Sequence, residues 1–181
     1  MYSGNMGLGH RFGEFLEAAM AAGEGFDWKF YGQGKRRVEI EKFLKQNPDA
    51  PVSLGHYVPR EELAAHLAGD DVHLASLDPV WDGTMVPSKL QGIFSIGRPV
   101  IFVGSETCAM GAWILESGGG WVVSPDDADG MGTALAEASD FVIRDRKGRA
   151  ARDFAEEHFD SSVNVARIAK LIVSQEGGDK R

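Results

Sequence analysis

Two stretches of this chain carry residue types that could do chemistry. The first is the glycine-rich run Gly4-Asn5-Met6-Gly7-Leu8-Gly9, which leads into an apolar helical pattern. A turn made of glycines lets backbone N–H groups approach a bulky anion closely. The second is Pro87-Ser88-Lys89. Proline opens a helix readily, because its missing N–H is one the first turn leaves unpaired anyway, so Lys89 falls in the first helical turn. A helix start exposes unpaired N–H groups and carries roughly half a positive charge. A lysine there is unfavourable unless an anion joins both, which suggests a phosphate site. The same residues also fit blander readings: a tight strand-to-helix turn for the glycines and a solvated surface turn for Lys89. The residue types alone leave both open.

Other reactive side chains point elsewhere. His10 sits just past the glycine loop, where an imidazole could donate to a phosphate, cap a helix or simply be solvated. His56, His66, His73 and His158 show no ligand spacing, so a metal site is not expected. Asp70-Asp71 and Asp126-Asp127 lie at turns and helix starts, where capping explains them better than acid–base work. The cluster Lys35-Arg36-Arg37 opens a helix at the wrong end for its dipole, so it reads as a wet face, with a role near phosphates as the alternative. Cys108 is the single cysteine; it excludes an internal disulfide, fits a reducing compartment and reads as a packed side chain rather than a nucleophile. No general base is identified.

The elements that must position these residues alternate. Strands are expected over 1–3, 26–31, 52–56, 72–77, 100–103 and 119–123. Helices are expected over 10–22, 35–45, 60–67, from Pro87 to Gly97 with Leu90, Ile93 and Phe94 as its apolar stripe, and over 112–117, 126–138, 146–158 and 161–174. Strands alternating with helices at these spacings mean parallel units with right-handed crossovers. The expected fold is α/β, a doubly wound, Rossmann-like parallel sheet of about six strands with helices on both faces. Ligands then sit at the carboxyl ends of the strands, near the point where strand order reverses. The loops beginning at Gly4, His56, Asp78 and Gly104 should open on that edge, bringing the glycine loop and Lys89 to one crevice.

A chain of 181 residues suits one ordinary domain. Its 43% hydrophobic and 25% charged content are those of a globular protein. A net charge of −8 speaks against nucleic-acid partners and against charge-driven attachment to an anionic membrane. There is no run of about 18 apolar residues and no signal-peptide pattern. The strand before the glycine loop has three residues where five or six are usual, so the sequence is expected to be a piece of a longer protein.

Taken in order, Tyr2-Ser-Gly-Asn-Met-Gly7, Phe30-Tyr-Gly-Gln-Gly34, Gly55-His-Tyr-Val-Pro-Arg-Glu-Glu-Leu63, Val86-Pro-Ser-Lys-Leu90, Gly97-Arg-Pro-Val100 and Gly119-Gly-Trp-Val-Val123 resemble the C-terminal, donor-binding half of GT-B glycosyltransferases. The similarity is greatest to the retaining group 1 (family 4) enzymes of bacterial surface-polysaccharide synthesis, and runs from Tyr2 to about Leu171. The resemblance implies a nucleotide-diphosphate sugar donor, UDP- or GDP-linked, with no metal and no other cofactor. It implies a domain over 1–175 with a frayed tail at 176–181, and an N-terminal acceptor half of the same enzyme as partner. A separated half could also self-associate. The implied location is cytoplasmic, membrane-peripheral through the other half. Gly4, Asn5, Met6 and Gly7 would meet the diphosphate or sugar, with His10 beside them. Ser88 and Lys89 would hold the phosphates, Lys89 stabilising the leaving diphosphate. The backbone around Tyr57 and Val58 would read the base edge.

The chain departs from that pattern at one place. Much of the family carries two glutamates with seven residues between them, and those positions hold Thr84 and Gly92 here. The ribose contact would then pass to backbone or to Asp82. Two rival readings remain: a stand-alone nucleotide-binding or interaction module without transfer chemistry, and a nicotinamide-binding oxidoreductase domain. The second is disfavoured because the loop spacing is Gly-x-x-Gly-x-Gly rather than Gly-x-Gly-x-x-Gly.

Overall fold

The computed structural model describes residues 1–23, 25–85, 88–160 and 165. Six parallel strands alternate with helices: β1 (Tyr2–Ser3), α1 (Gly13–Ala21), β2 (Trp28–Tyr31), α2 (Arg37–Gln46), β3 (Val52–Gly55), α3 (Leu63–Ala68), β4 (His73–Ser76), α4 (Lys89–Ser95), β5 (Val100–Val103), α5 (Ala109–Ser117), β6 (Gly120–Val123), α6 (Ala128–Ser139) and α7 (Phe141–His158). Short 3₁₀ turns at Arg60–Glu62 and Pro79–Trp81 precede α3 and α4.

The strands form two three-stranded sheets, β1-β2-β3 and β4-β5-β6, all pairs parallel. Met1 joins them: its nitrogen donates to Val72 O at 2.7 Å, and Leu74 N donates to Met1 O at 2.8 Å. The spatial order is therefore 3-2-1-4-5-6, with the reversal between β1 and β4. That is the switch point at which doubly wound sheets place ligands.

Alternation along the inner strands shows that both faces are covered. On β5, Ile101 and Val103 join one buried cluster, while Val100 and Phe102 join the other. The first cluster lies under α1, α2 and α6 through Phe15, Ile40 and Met131. The second lies under α4, α5 and α7 through Leu90, Phe94, Ile114 and Phe154. Successive side chains on a strand point to opposite faces, so an unbroken apolar run is what a two-sided sheet requires.

Helix starts differ most from expectation. α1 begins at Gly13 rather than at 10, because His10 and Arg11 are spent on β4: His10 Nδ1 meets Ser76 O at 2.7 Å, and Arg11 N donates to Ser76 Oγ at 2.9 Å. α2 begins at Arg37 rather than 35, and the 60–67 helix is split by its 3₁₀ entry. α5 begins at Ala109, capped by Cys108, whose sulfur accepts from Gly111 N at 3.4 Å. α7 begins five residues before the expected 146. Its start is fixed by the Asp140 carboxylate, which accepts from Val142 N at 2.7 Å and Ile143 N at 3.2 Å. Asp140→Ala should therefore lower stability by about 1 kcal/mol, the usual worth of an N-cap. In a domain this size that is roughly 2–4 °C in Tm, readable in a thermal melt; an unchanged melt would show that this cap contributes nothing. Val165 is helical; the rest of the helix expected over 161–174 lies outside the described residues, as do Pro87 and the tail.

Candidate functional site

Hydrogen bonds gather the glycine loop after β1, the end of β2 and the first turn of α4 at the switch point. β1 ends at Ser3 and runs into the glycine loop. That loop is tied back to the end of β2: Gly4 N donates to Tyr31 O at 2.9 Å and Met6 N to Gln33 O at 2.8 Å. Behind it, Arg36 N donates to Met6 O at 2.9 Å and the Arg36 guanidinium to His10 O. Arg37 Nη1 donates to both Gly32 O and Gly55 O at 2.6 Å. Two of the three residues expected to form a wet basic face are thus staples within the backbone. Met6 is fully buried and its amide is used, so it supports the loop from below. Among the described residues, the amides of Asn5, Gly7, Leu8 and Gly9 donate to no protein acceptor. They are the loop's free N–H groups.

Lys89, from the first turn of α4, crosses the switch point to this loop. Its Nζ donates to the Tyr2 hydroxyl, to Asn5 O at 3.2 Å and toward His10 Nε2 at 3.1 Å, and lies 4.2 Å from the centre of the Tyr2 ring. Tyr2 in turn donates to Asn5 O at 2.6 Å. A side chain on Gly4, whose φ is +140°, would run into Lys89 Cε; glycine there lets the lysine lie directly along the loop. No carboxylate reaches Lys89 among the described residues.

Electrostatics follow from this burial. Desolvation lowers Lys89 to about 7. It lowers His10 to about 4, with the Lys89 and Arg36 charges adding to it and the bond to Ser76 O opposing. His10 is accordingly a neutral imidazole that gives Nδ1–H to Ser76 O and presents the Nε2 lone pair to Lys89. It is neither solvated nor a helix cap, and as placed it is an acceptor for the lysine rather than a donor to an anion. Burial also pushes the Tyr2 hydroxyl up, keeping it protonated.

The remaining candidates divide. Tyr57 is half exposed, and its hydroxyl donates to Gln33 O at 3.4 Å, the same carbonyl that takes Met6 N. Val58 follows it in the loop after β3. Ser88 is exposed at the N-cap of α4 and makes no capping bond. Thr84 is exposed, with its hydroxyl turned back to Trp81 O at 2.9 Å. Asp82 is half-buried, and its Oδ1 has no partner among the described residues. The 81–85 segment covers Gly9, where Met85 and Trp81 pack. Sequence reasoning missed Tyr2 and Ser76, and it places Arg36 only within a basic run. Ser76 did leave a signal, a lone hydroxyl inside a buried strand.

Among the described residues no helix is long and apolar enough to cross a membrane, and no three His, Cys, Asp or Glu side chains gather to hold a metal. The arrangement brings unbonded loop N–H groups and an amine to a strand-order reversal, and such groups can hold an anion and stabilise negative charge.

No family model and no curated protein sequence matches the chain. Solved structures do. A mutant of S. aureus TarM in complex with Fondaparinux, alpha-GlcNAc-glycerol and UDP superposes with a TM-score of 0.75 at 14% identity, over 94% of this chain and 34% of that one. Sucrose-phosphate synthase from Thermosynechococcus elongatus gives 0.74 at 18% identity, over 98% and 46%. WaaG, a glycosyltransferase involved in lipopolysaccharide biosynthesis, gives 0.62 at 18% identity, over 86% and 42%. The chain therefore has the Rossmann-like fold of a GT-B glycosyltransferase domain. It spans about a third to a half of the length of these neighbours.

Proposed function

We propose that this chain is the C-terminal, donor-binding domain of a metal-independent GT-B glycosyltransferase of bacterial surface-polysaccharide synthesis. It binds a UDP- or GDP-linked sugar and works with an N-terminal acceptor half of the same enzyme. The observation that carries this reading is Lys89: a largely desolvated amine at the strand-order reversal whose partners, among the described residues, are all neutral acceptors. Charges taken out of water are ordinarily paired, and here the counter-charge is supplied by the donor's diphosphate. The free amides of Asn5, Gly7 and Leu8 complete the cradle, and Tyr57 and Val58 lie on the side of the nucleoside. As the sugar departs, charge grows on the diphosphate, and the fixed donors stabilise it without reorganising.

Calorimetric titration with UDP, GDP and NAD tests the assignment. A nucleoside diphosphate should bind in the presence of a chelator; preference for NAD would favour an oxidoreductase, and no nucleotide binding would end the donor reading. Thr84 and Gly92, which replace the glutamates of the resembled family, are the observation that favours a module that binds without transferring.

Gly92 gives a further expectation. A Cβ there meets only Leu67 Cδ1 at 3.7 Å, an ordinary contact. Gly92→Glu should fold normally and gain up to about 1 kcal/mol from helix propensity. If the nucleoside lies along this face of α4, the new carboxylate reaches the ribose and tightens UDP binding several-fold, whereas unchanged affinity would place the ribose elsewhere.

A further inference from the structure

The groups around the Lys89 ammonium are the Tyr2 hydroxyl and ring from β1, Asn5 O from the glycine loop and His10 Nε2 from the turn before α1. His10 cannot turn away, because Nδ1 is engaged by Ser76 O on β4. The further charge acting on His10 is Arg36, whose guanidinium rests on His10 O. Tyr57 is the other titratable group acting on Tyr2. Among the described residues, no carboxylate is packed against the amine.

We propose that the crevice takes up its anion together with a proton, and that His10 and Tyr2 are the positioning residues that make it do so. The inference rests on the diphosphate reading above. Before an anion arrives the amine is turned inward, where solvent is scarce and no carboxylate among the described residues compensates it, so as pH rises above neutral it gives up a proton, and with it one of its three donor bonds, to become R–NH₂. An arriving diphosphate supplies the missing charge. The lone pair on Nζ then takes a proton from a buffer acid, which becomes its conjugate base, and the ammonium–phosphate pair forms.

The sign follows from the direction of each shift. Burial brings Lys89 to about 7 and His10 to about 4, so near pH 8 both are mainly neutral in the empty site. A neighbouring anion raises an amine's pKa. Binding should therefore take up close to one proton near pH 8.5, and affinity should fall as pH rises above about 7.5, approaching tenfold per unit. The terminal phosphate of UDP is already ionised in this range, since its second pKa is about 6.

The test is calorimetry of UDP binding to the 181-residue chain near pH 8.5 in two buffers of different ionisation enthalpy. The apparent enthalpy should differ between buffers by an amount equal to uptake of about one proton. Lys89→Arg, whose guanidinium does not titrate here, should show no such difference. His10→Asn keeps a donor to Ser76 O but opens the amine to water. It should move the midpoint of the affinity–pH curve upward and reduce proton uptake; an unchanged curve overturns the role given to His10. Binding of UDP with no buffer dependence overturns the inference and leaves the donor site standing. Failure of both UDP and GDP to bind at any pH overturns the donor site itself, and the inference with it.

Discussion

Lys89→Ala is expected to weaken UDP or GDP binding ten- to a hundredfold and to leave the domain folded. A hydrogen bond from a charged donor is worth roughly 1.5–3 kcal/mol, and each 1.4 kcal/mol is about tenfold in Kd. The two consequences separate because of where the side chain lies. Its apolar stem adds little to the cores, which are closed by Leu90, Ile93 and Phe94 from the same helix. Among the described residues its amine is desolvated without a carboxylate partner, so the protein loses little stability when it goes. Alanine is also the better helix former. The expected pattern is an unchanged or slightly higher Tm with a much weaker Kd. A Kd within about twofold of the parent would mean that the diphosphate does not sit between the glycine loop and α4.

Gly32→Ala should have the largest effect on stability. Gly32 ends β2 with φ +139°, and a Cβ there would overlap Gly4 O. The obstacle is backbone, which cannot swing aside as a flexible side chain would. Holding a non-glycine residue in that conformation costs about 1–3 kcal/mol. Forcing extra atoms into a closed contact adds roughly 1–3 kcal/mol. At 2–4 °C per kcal/mol, Tm should fall by roughly 10 °C. The displaced atom belongs to the glycine loop, so nucleotide affinity should fall too. Gly132→Ala provides the contrast: it lies within α6 with nothing within 4 Å of its Cβ position, and should raise stability by up to about 1 kcal/mol. If the two variants melted alike, the close approach at Gly32 would carry no energetic weight.

Much of the architecture was legible because it depends on local pattern. The apolar run Val100–Val103 can be buried on both faces only in a parallel sheet, and Gly97-Arg98-Pro99 punctuates helix from strand wherever it occurs. The starts of α1, α5 and α7 were not legible for reasons that differ. Cys108 and Asp140 act as caps, but the apolar residues after them read as well for strand or loop as for a first helical turn. At α1 the periodic pattern does extend back to His10, and the contact with Ser76 on a distant strand overrides it. The site shows the same division. The convergence of the glycine loop and Lys89 followed from topology, because the carboxyl ends of parallel strands share an edge. The inward set of the lysine did not, since it depends on Tyr2, His10 and Ser76 meeting across 66 to 87 residues of sequence. Arg36 and Arg37 were read as a solvated run because charge clusters usually are; that they bond backbone carbonyls could be seen only once β2 and β3 were placed.

The sheet's ladder changes hands at Met1, where a pair of hydrogen bonds mates its two three-stranded halves. The Lys89 site lies past the other end of β1 from that join, its amides hanging from one half and its amine reaching over from the other. Whatever occupies it bridges a fault line, riveting β1 to the far side of the domain. Loading and stiffening should then be a single event.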